Sequence, residues 1–529
     1  MNKFCKYYFV LLGCIYLKVL NAQPFLPLQD NLIRETDAII IKNNSSVSTF
    51  LKPYSFSCLN QQVKADSLIS IFKDTPSKQK NWFVRKFYYE HLFNIDTNGF
   101  HLSLDPVFNF QGAIKTTGFN EYLVNTRGIR LCGDIGKISF VSEFYENQAF
   151  FPAYVDSFIK NSQVVPGQGF ARSYNVTGFD FAYSTAELYY KATASFTCIF
   201  GLGKNFVGDG YRSMLLSDNS FNYPFLRFSY DGKKLHYSHI YAVLMDITNK
   251  WFPFGVNRKL AGFSILSYMP INWFELSAFE GNIWQYPYAS NKTRFDMNYL
   301  NPMIFVNTLL KNDENNSLTG IGFKLNCDRA IQLYGQIAID DINLRELLKN
   351  NGYKGNKYAF QAGAKYFDVF SLKNLFLQIE YNTARPYTYS YSPAALTYSN
   401  YNQALADPLG ANFREGIFIT QYRLNRFLVE YHFNYAKYGT NQSGKNDGND
   451  IFDDMISGVP YYNNFTGQGL KNTLVYQNVE LSYLMNPKTN MNIVIGFTKR
   501  KVLTENSNNL QSFYYIGFRT SLSNSYFDF

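Results

Sequence analysis

The chain has 529 residues and a formal net charge of +10, with no basic run that would mark a nucleic-acid surface. Aromatic residues make up 18% of it and charged residues only 17%, against a mean hydropathy of −0.23. Beyond the N-terminus no stretch approaches the roughly 18 unbroken apolar residues of a spanning helix, which argues against a helical inner-membrane protein.

The first residues have the anatomy of an export signal. Lys3 and Lys6 form a basic start, Phe9–Leu17 an apolar core, and Leu20-Asn21-Ala22 a cleavage site before Gln23. Leu11-Leu12-Gly13-Cys14 resembles a lipobox, but Ile15-Tyr16-Leu17 continue the apolar run past the thiol, so cleavage after residue 22 is the preferred reading. Removing 1–22 takes Lys3, Lys6 and Lys18 away and leaves a charge of about +7. Residues 23–99 are expected to be a periplasmic, partly helical segment near a barrel mouth. Gln61–Lys73 and Lys78–Phe93 have helical spacing, the second with Trp82, Phe83 and Phe87 among Lys80, Arg85 and Lys86. A helix on the membrane surface is the alternative for that aromatic and basic stretch.

From residue 100 to 529 amphipathic segments alternate with links of two lengths. Tight links fall at Ile135–Gly136, Lys191, Gly232–Lys233, Pro270–Ile271, Asp328, Asp368–Lys373, Asn425 and Asn486–Thr489. Long polar links fall between them, at 112–125, 148–177, 204–222, 248–259, 286–316, 340–356, 384–413, 437–470 and 500–510. Short periplasmic turns and long outer loops are the rhythm of an outer-membrane β-barrel, here of about eighteen antiparallel strands. A soluble all-β protein also alternates and is the competing class. An aromatic-rich barrel places its rings in two interfacial girdles.

Strand patterning assigns faces. Leu375, Leu377, Ile379 and Tyr381 oppose Gln378, Glu380 and Asn382, and Val429, Tyr431 and Phe433 oppose Glu430, His432 and Asn434. Charge on the lipid face is costly, so the polar sets, with Glu143, Gln336, Asp340 and Glu480, should face the lumen. The last strand, expected over Phe513–Ser523, puts Tyr514, Ile516 and Phe518 outward. That phase does not run on to Phe529, so a bulge or tail is expected near Ser523–Ser525. Of the cysteines outside the signal, Cys58, Cys132, Cys198 and Cys327 match no metal-ligand spacing and read as small apolar residues.

The densest motif is GKNFVGDGYRSMLLSDN (203–219), in the loop 204–222. Its glycines lack P-loop spacing and no helix follows, so a nucleotide site is not indicated. In an outer loop its Lys204, Asp209, Tyr211, Arg212, Asp218 and Asn219 offer hydrogen bonds and a ring face suited to sugars, joined by Arg385 and Tyr387 of a second loop. The competing reading is a structured loop that only caps the barrel. Asp340 and Asp341 point opposite ways on a strand, histidines are few, and neither HExxH nor a nucleophile elbow is present, so no enzyme is expected. Asp447, Asp450, Asp453 and Asp454 lack the calcium-loop pattern. No metal or other cofactor is expected.

The blocks 203–219, YLNP (299–302), YGQIAIDD (334–341), EYNTARPYTYS (380–390) and DPLGANFRE (407–415) resemble the Wzi capsule-assembly family. Within it they are most similar to the branch of the gliding-motility protein RemB, as are WFVRKFYYEHLF (82–93) and NTRGI (125–129), so the likeness covers roughly residues 80–529. It implies a non-enzymatic outer-membrane barrel, exported by a signal peptide, that holds capsular or other surface polysaccharide in a lectin-like way. The partners implied are the polysaccharide, outer-membrane lipid and lipopolysaccharide, and other surface or gliding-machinery proteins. Individual sugar-binding residues are not carried over from the family. A diffusion porin or solute channel is the alternative, suggested by the polar lumen, and an outer-membrane hydrolase a weaker third.

Overall fold

The computed structural model describes residues 27–54, 81–114, 122–247, 257–287, 295–309, 315–453, 459–505, 507–520 and 523–529. From Phe100 the chain forms eighteen antiparallel strands that close into a barrel. The first six are β1 (Phe100–Ile114), β2 (Leu123–Ile135), β3 (Ile138–Phe150), β4 (Gly178–Lys191), β5 (Phe196–Gly203) and β6 (Tyr223–Asp231). Next come β7 (Leu235–Asp246), β8 (Asn257–Ile271), β9 (Phe274–Gln285), β10 (Asn315–Cys327), β11 (Ile331–Asp341) and β12 (Lys357–Phe367). The circuit is completed by β13 (Leu375–Ala384), β14 (Phe413–Leu424), β15 (Phe427–Thr440), β16 (Leu470–Asn486), β17 (Met491–Thr504) and β18 (Asn508–Arg519). β18 pairs with β1 from Tyr514↔Ile114 to Arg519↔Asn109, which removes every free edge.

The strand count follows the sequence expectation, and so does the alternation of tight turns with long loops except at 500–510, expected as a long link. There β17 runs to Thr504 and pairs directly with β18 from Asn508, leaving only 505–507 between them. One tight turn needs its glycine: Gly136 has φ +59°, a left-handed conformation that suits a residue without Cβ. No helix among the described residues is long and apolar enough to cross a membrane, which says nothing of crossing by strands. The faces also follow the pattern. Ile379 and Val429 are exposed outward at 50% and 42%, while Gln378, Glu380, Asn382 and Asn434 are buried in the lumen. An arginine on that outer face near the midplane would cost about 2–4 kcal/mol. Among the described residues Cys132, Cys198 and Cys327 are free thiols; Cys58 lies outside them.

The segment before the barrel differs from its expectation in one respect. Residues 27–54 sit inside the barrel rather than beside its mouth. Helix α1 (Asp30–Lys42), which apolar spacing did not reveal, carries an acid in its first turn and a base in its last, matching its dipole. It buries Arg34, Thr36 and Asp37 along with Ile40 and Ile41, because the wall around it is polar. Arg34 meets Glu430 at 2.5 Å, Asp37 meets Lys365 at 2.8 Å and Glu35 meets Arg423 at 2.5 Å. The chain then rises through the lumen, where Leu51–Lys52 pairs with Phe206–Val207. Helix α2 (Trp82–Tyr88) falls within the expected 78–93 helix, and its Phe87 stacks on Phe518 of the outer wall at 6.2 Å. The helix expected at 61–73 lies outside the described residues.

The C-terminus explains the broken phase. β18 stops at Arg519, four residues before the expected Ser523, and Thr520 turns inward against Phe108. The last residues then fold into the lumen. Asn524 bonds Asp30 and Asp218, Tyr154 donates to the Phe527 carbonyl at 2.8 Å, and Arg500 donates to Phe529 oxygen at 2.8 Å. Helix α3 (Ala153–Ser162) in the loop after β3 packs Tyr154 and Phe158 against Phe529.

Candidate functional site

The motif loop 204–222 leaves β5 and turns down into the barrel instead of outward. The lumen-facing strand residues beneath it explain why. Glu380 of β13 accepts from the backbone nitrogens of Tyr211 at 2.7 Å and Arg212 at 3.1 Å, and Gln336 of β11 accepts from Met214 and donates to Val207. A loop with few backbone partners of its own finds them on the wall. Arg212, 1% exposed, reaches Asp528 of the C-terminal tail at 2.9 Å, Glu415 of β14 at 3.1 Å and Asp407 at 3.9 Å. Burial opposes ionisation of Asp528, but the Arg212 guanidinium, His432 and hydrogen bonds together outweigh it and hold that carboxyl below its ordinary value. Burial, reinforced by Glu415 and opposed by Arg212, pushes the Asp407 carboxyl well above its ordinary value.

The other predicted residues are also engaged by protein. Lys204 donates to the carbonyls of Gly167 at 2.7 Å and Asp218 at 2.9 Å, and burial lowers its ammonium to about 8. Asp209 accepts from Thr49 at 2.5 Å beside Lys52. Both oxygens of Asp218 are taken, by Tyr526 at 2.7 Å and Asn524 at 3.0 Å. Tyr211 packs edge-on against His432 and Tyr526, and Asn219 donates to the Ala404 carbonyl. These six residues converge in the lumen. Arg385 and Tyr387 do not join them; they tie the outer loops together through the Asn464 carbonyl at 2.9 Å and the Asn446 carbonyl at 2.9 Å. Asn400, in the long link 384–413, is 0% exposed and donates to the Phe221 carbonyl.

Four of the blocks singled out in the sequence therefore meet one another: 203–219, 334–341, 380–390 and 407–415 supply the two sides of these contacts. The YLNP block lies elsewhere, on the outer wall. Asp447 and Asp450 cap the backbone nitrogens of Gln442 and Phe452. Among the described residues no cluster of three histidine, cysteine or acidic side chains is placed to hold a metal.

A surface that sequence reasoning missed crowns the outer end. The loops 342–356 and 441–469 are zipped by Lys354 N–H to the Tyr461 carbonyl, Asn463 N–H to Asn351 and Asn464 N–H to Gly352, each at 2.9 Å. Gly352 has φ +69°, and a Cβ there would meet Asn464 nitrogen at 2.5 Å, so the approach needs glycine. The zipper presents Tyr461, Tyr462 and Phe465, exposed at 64%, 47% and 45%. The Lys354 ammonium sits 4.2 Å over the Tyr461 ring, and Tyr353 lies 5.9 Å from Tyr462. The signal was the Tyr461-Tyr462 pair inside the long link 437–470. A polar cavity of about 360 Å³ remains along the seam, lined by Asn109 and Gln111 of β1, Asn478 and Glu480 of β16, and Tyr515 and Arg519 of β18.

The chain matches no protein-family model and no curated protein. Among solved structures it is similar to Wzi of Escherichia coli, an outer-membrane protein involved in group 1 capsule assembly and described as a carbohydrate-binding β-barrel. That likeness has 12% identity over 95% of this chain and 100% of that one, with a TM-score of 0.57. OprD of Pseudomonas aeruginosa matches at 9% identity over 81% of this chain and 95% of its own, with a TM-score of 0.43. OccAB2 of Acinetobacter baumannii matches at 9% identity over 80% and 98%, with a TM-score of 0.42. At these identities the likeness is one of fold, and the fold is that of an outer-membrane barrel.

Proposed function

We propose that this barrel holds surface polysaccharide on its outward cap, without catalysis, in the manner of a lectin. The observation that carries the reading is the cluster of exposed rings Tyr461, Tyr462 and Phe465 with the half-buried Tyr353, beside Lys354, set above a lumen occupied by the chain itself. Pyranose C–H faces stack on such rings and sugar hydroxyls accept from the ammonium. The carbohydrate binding described for the E. coli barrel of the same fold supports it, as does the sequence resemblance. In this reading the motif loop and Arg385 with Tyr387 act from within, holding the cap in shape. The export signal and an outer-membrane location belong to the same proposal, and the resemblance to the gliding branch adds spreading over surfaces as a second readout.

The test is retention of surface polysaccharide on cells carrying Tyr461→Ala with Tyr462→Ala, and binding of that polysaccharide by the purified protein. Each ring contributes on the order of 0.5–1.5 kcal/mol, so the pair should weaken binding about tenfold or more while barrel abundance stays normal. Unchanged binding and retention by an abundant, folded double variant would remove this site.

A second reading, a narrow solute path, is favoured by the seam cavity, whose lining runs from Gln29 and Asn490 to Tyr122 and Gln168. Conductance of the purified protein in planar bilayers, with no binding of polysaccharide, would put that reading first.

A further inference from the structure

The outward wall of β7 to β10 carries a polar row that is largely buried rather than exposed. Glu275 of β9 faces the lumen, where it pairs with Lys324 at 2.6 Å, and unbroken pairing to β10 then turns Glu280 to the opposite, outer face. One row across four strands carries His239, Ser264, Glu280 and Thr319 on that face. Glu280 is nevertheless 0% exposed. The loop after β9 folds back over it.

That cover, Phe295–Leu309, is fastened by its backbone. Glu280 accepts from the backbone nitrogens of Phe305 at 2.6 Å and Thr308 at 2.8 Å, and from the Thr308 hydroxyl at 2.8 Å. Tyr241 donates to the Leu300 carbonyl at 2.8 Å, and Tyr237 donates to that of Pro302. Tyr299 of the YLNP block packs its ring on Tyr241 at 5.5 Å and Trp284 at 5.6 Å. Beneath the cover His239 Nε2, Asn282 Oδ1, Trp284 Nε1 and Asn315 Oδ1 are buried without a hydrogen-bond partner, so the bare wall would set a polar stripe against hydrocarbon.

The outer side of the same segment is apolar. Met297, Leu300, Met303 and Leu309 are exposed at 70%, 51%, 65% and 82%, and continue the surface of Leu276 and Ile321, exposed at 45% and 51% on the strands below. Asp296, the one charged residue of the segment, accepts from the Asn298 backbone nitrogen. Irregular backbone survives at membrane depth only where its polar groups are satisfied internally. Here the wall takes the nitrogens of Phe305 and Thr308 and the carbonyls of Leu300 and Pro302, and the N–H groups of Tyr299, Asn301 and Leu309 bond within the segment. We propose that Phe295–Leu309 is a membrane-embedded flap whose partner is the acyl-chain region of the surrounding lipid, and that Glu280 is the anchor holding it down.

The test uses full-length protein with its native cysteines replaced by serine, reconstituted in phosphatidylcholine vesicles with or without brominated acyl chains. Single cysteines at Met303 and Leu309 carry a bimane label, with Ile321→Cys as the lipid reference and Ser443→Cys as the aqueous one. Brominated lipid should quench positions 303 and 309 as strongly as 321 and leave 443 bright, while aqueous iodide does the reverse. Quenching of 303 and 309 by iodide alone would overturn the flap. So would protection from both quenchers with cross-linking between copies, which would make this face a protein contact. Glu280→Ala should move the Met303 label from lipid quenching towards iodide quenching. If that variant fails to assemble, the pattern with Glu280 intact still decides.

Discussion

Glu380 shows how differently a side chain reads once its neighbours are known. Alternation assigns it to the lumen, and a lumen residue in contact with water would accept replacement by glutamine. In the folded protein it is 4% exposed and receives hydrogen bonds from the backbone of Tyr211 and Arg212, from Tyr334 at 2.8 Å and from Asn382 at 2.9 Å. Every partner is a donor. Glu380→Gln would turn an N–H₂ towards some of them, leaving buried donors unpaired at about 1–3 kcal/mol. The expected outcome is an abundant barrel whose heat-modifiable mobility shift occurs at lower temperature and whose motif loop is cut sooner by protease. A shift identical to wild type would mean that the loop does not depend on this carboxylate.

Among the elements, α1 is the clearest case of a helix held by polar contacts. Its Asp37 is 1% exposed, pairs with Lys365 of β12 at 2.8 Å and accepts from Tyr54 at 2.7 Å. Removing one partner of such a buried pair costs about 3–5 kcal/mol, because the other charge is left unmatched. Arg34 repeats the arrangement with Glu430 and Gln421. Asp37→Ala combined with Arg34→Ala should therefore loosen the helix from the barrel. In planar bilayers the double variant is expected to conduct in long, noisy openings while the wild type stays closed or nearly so. Equal, quiet behaviour of both would show that the rising chain and the C-terminal tail close the lumen without α1.

At the scale of the whole molecule, the two ends of the barrel differ in kind. Short turns at one end are matched by layered loops at the other, and several loops fold inward, so length alone does not make a loop residue accessible. Ser443 is exposed, whereas Asn400, on a loop as long, is buried. Lys488 is exposed on a tight turn at the opposite end. On intact cells a membrane-impermeant thiol reagent should label Ser443→Cys and spare both Asn400→Cys and Lys488→Cys. After outer-membrane permeabilisation Lys488→Cys should join Ser443→Cys. Labelling of Lys488→Cys on intact cells with none at Ser443→Cys would invert the barrel and move the Tyr461 cap away from the cell exterior.

The amino-acid pattern by itself determined the barrel: the strand count, the order of short and long links up to the last hairpin, and the faces of strands such as β13 and β15. These are local properties, written in a two-residue period and in turn residues a few positions apart. It also located the break before the C-terminus, since Phe529 falls out of phase with Phe518. Tertiary structure alone decided what fills the lumen. Arg34 with Glu430 and Arg212 with Asp528 join residues hundreds of positions apart, and no period in the chain encodes such a meeting. The same cause hid α1, whose buried face is polar because its surroundings are polar. It also turned the motif loop from a solvent-facing candidate into an internal brace, through acceptors on β11, β13 and β14 that face a shared interior. The outward Glu280 is the converse case: its donors, Phe305 and Thr308, lie only 25 and 28 residues on, in the loop after its own strand, but no two-residue period shows that this loop folds back over the wall.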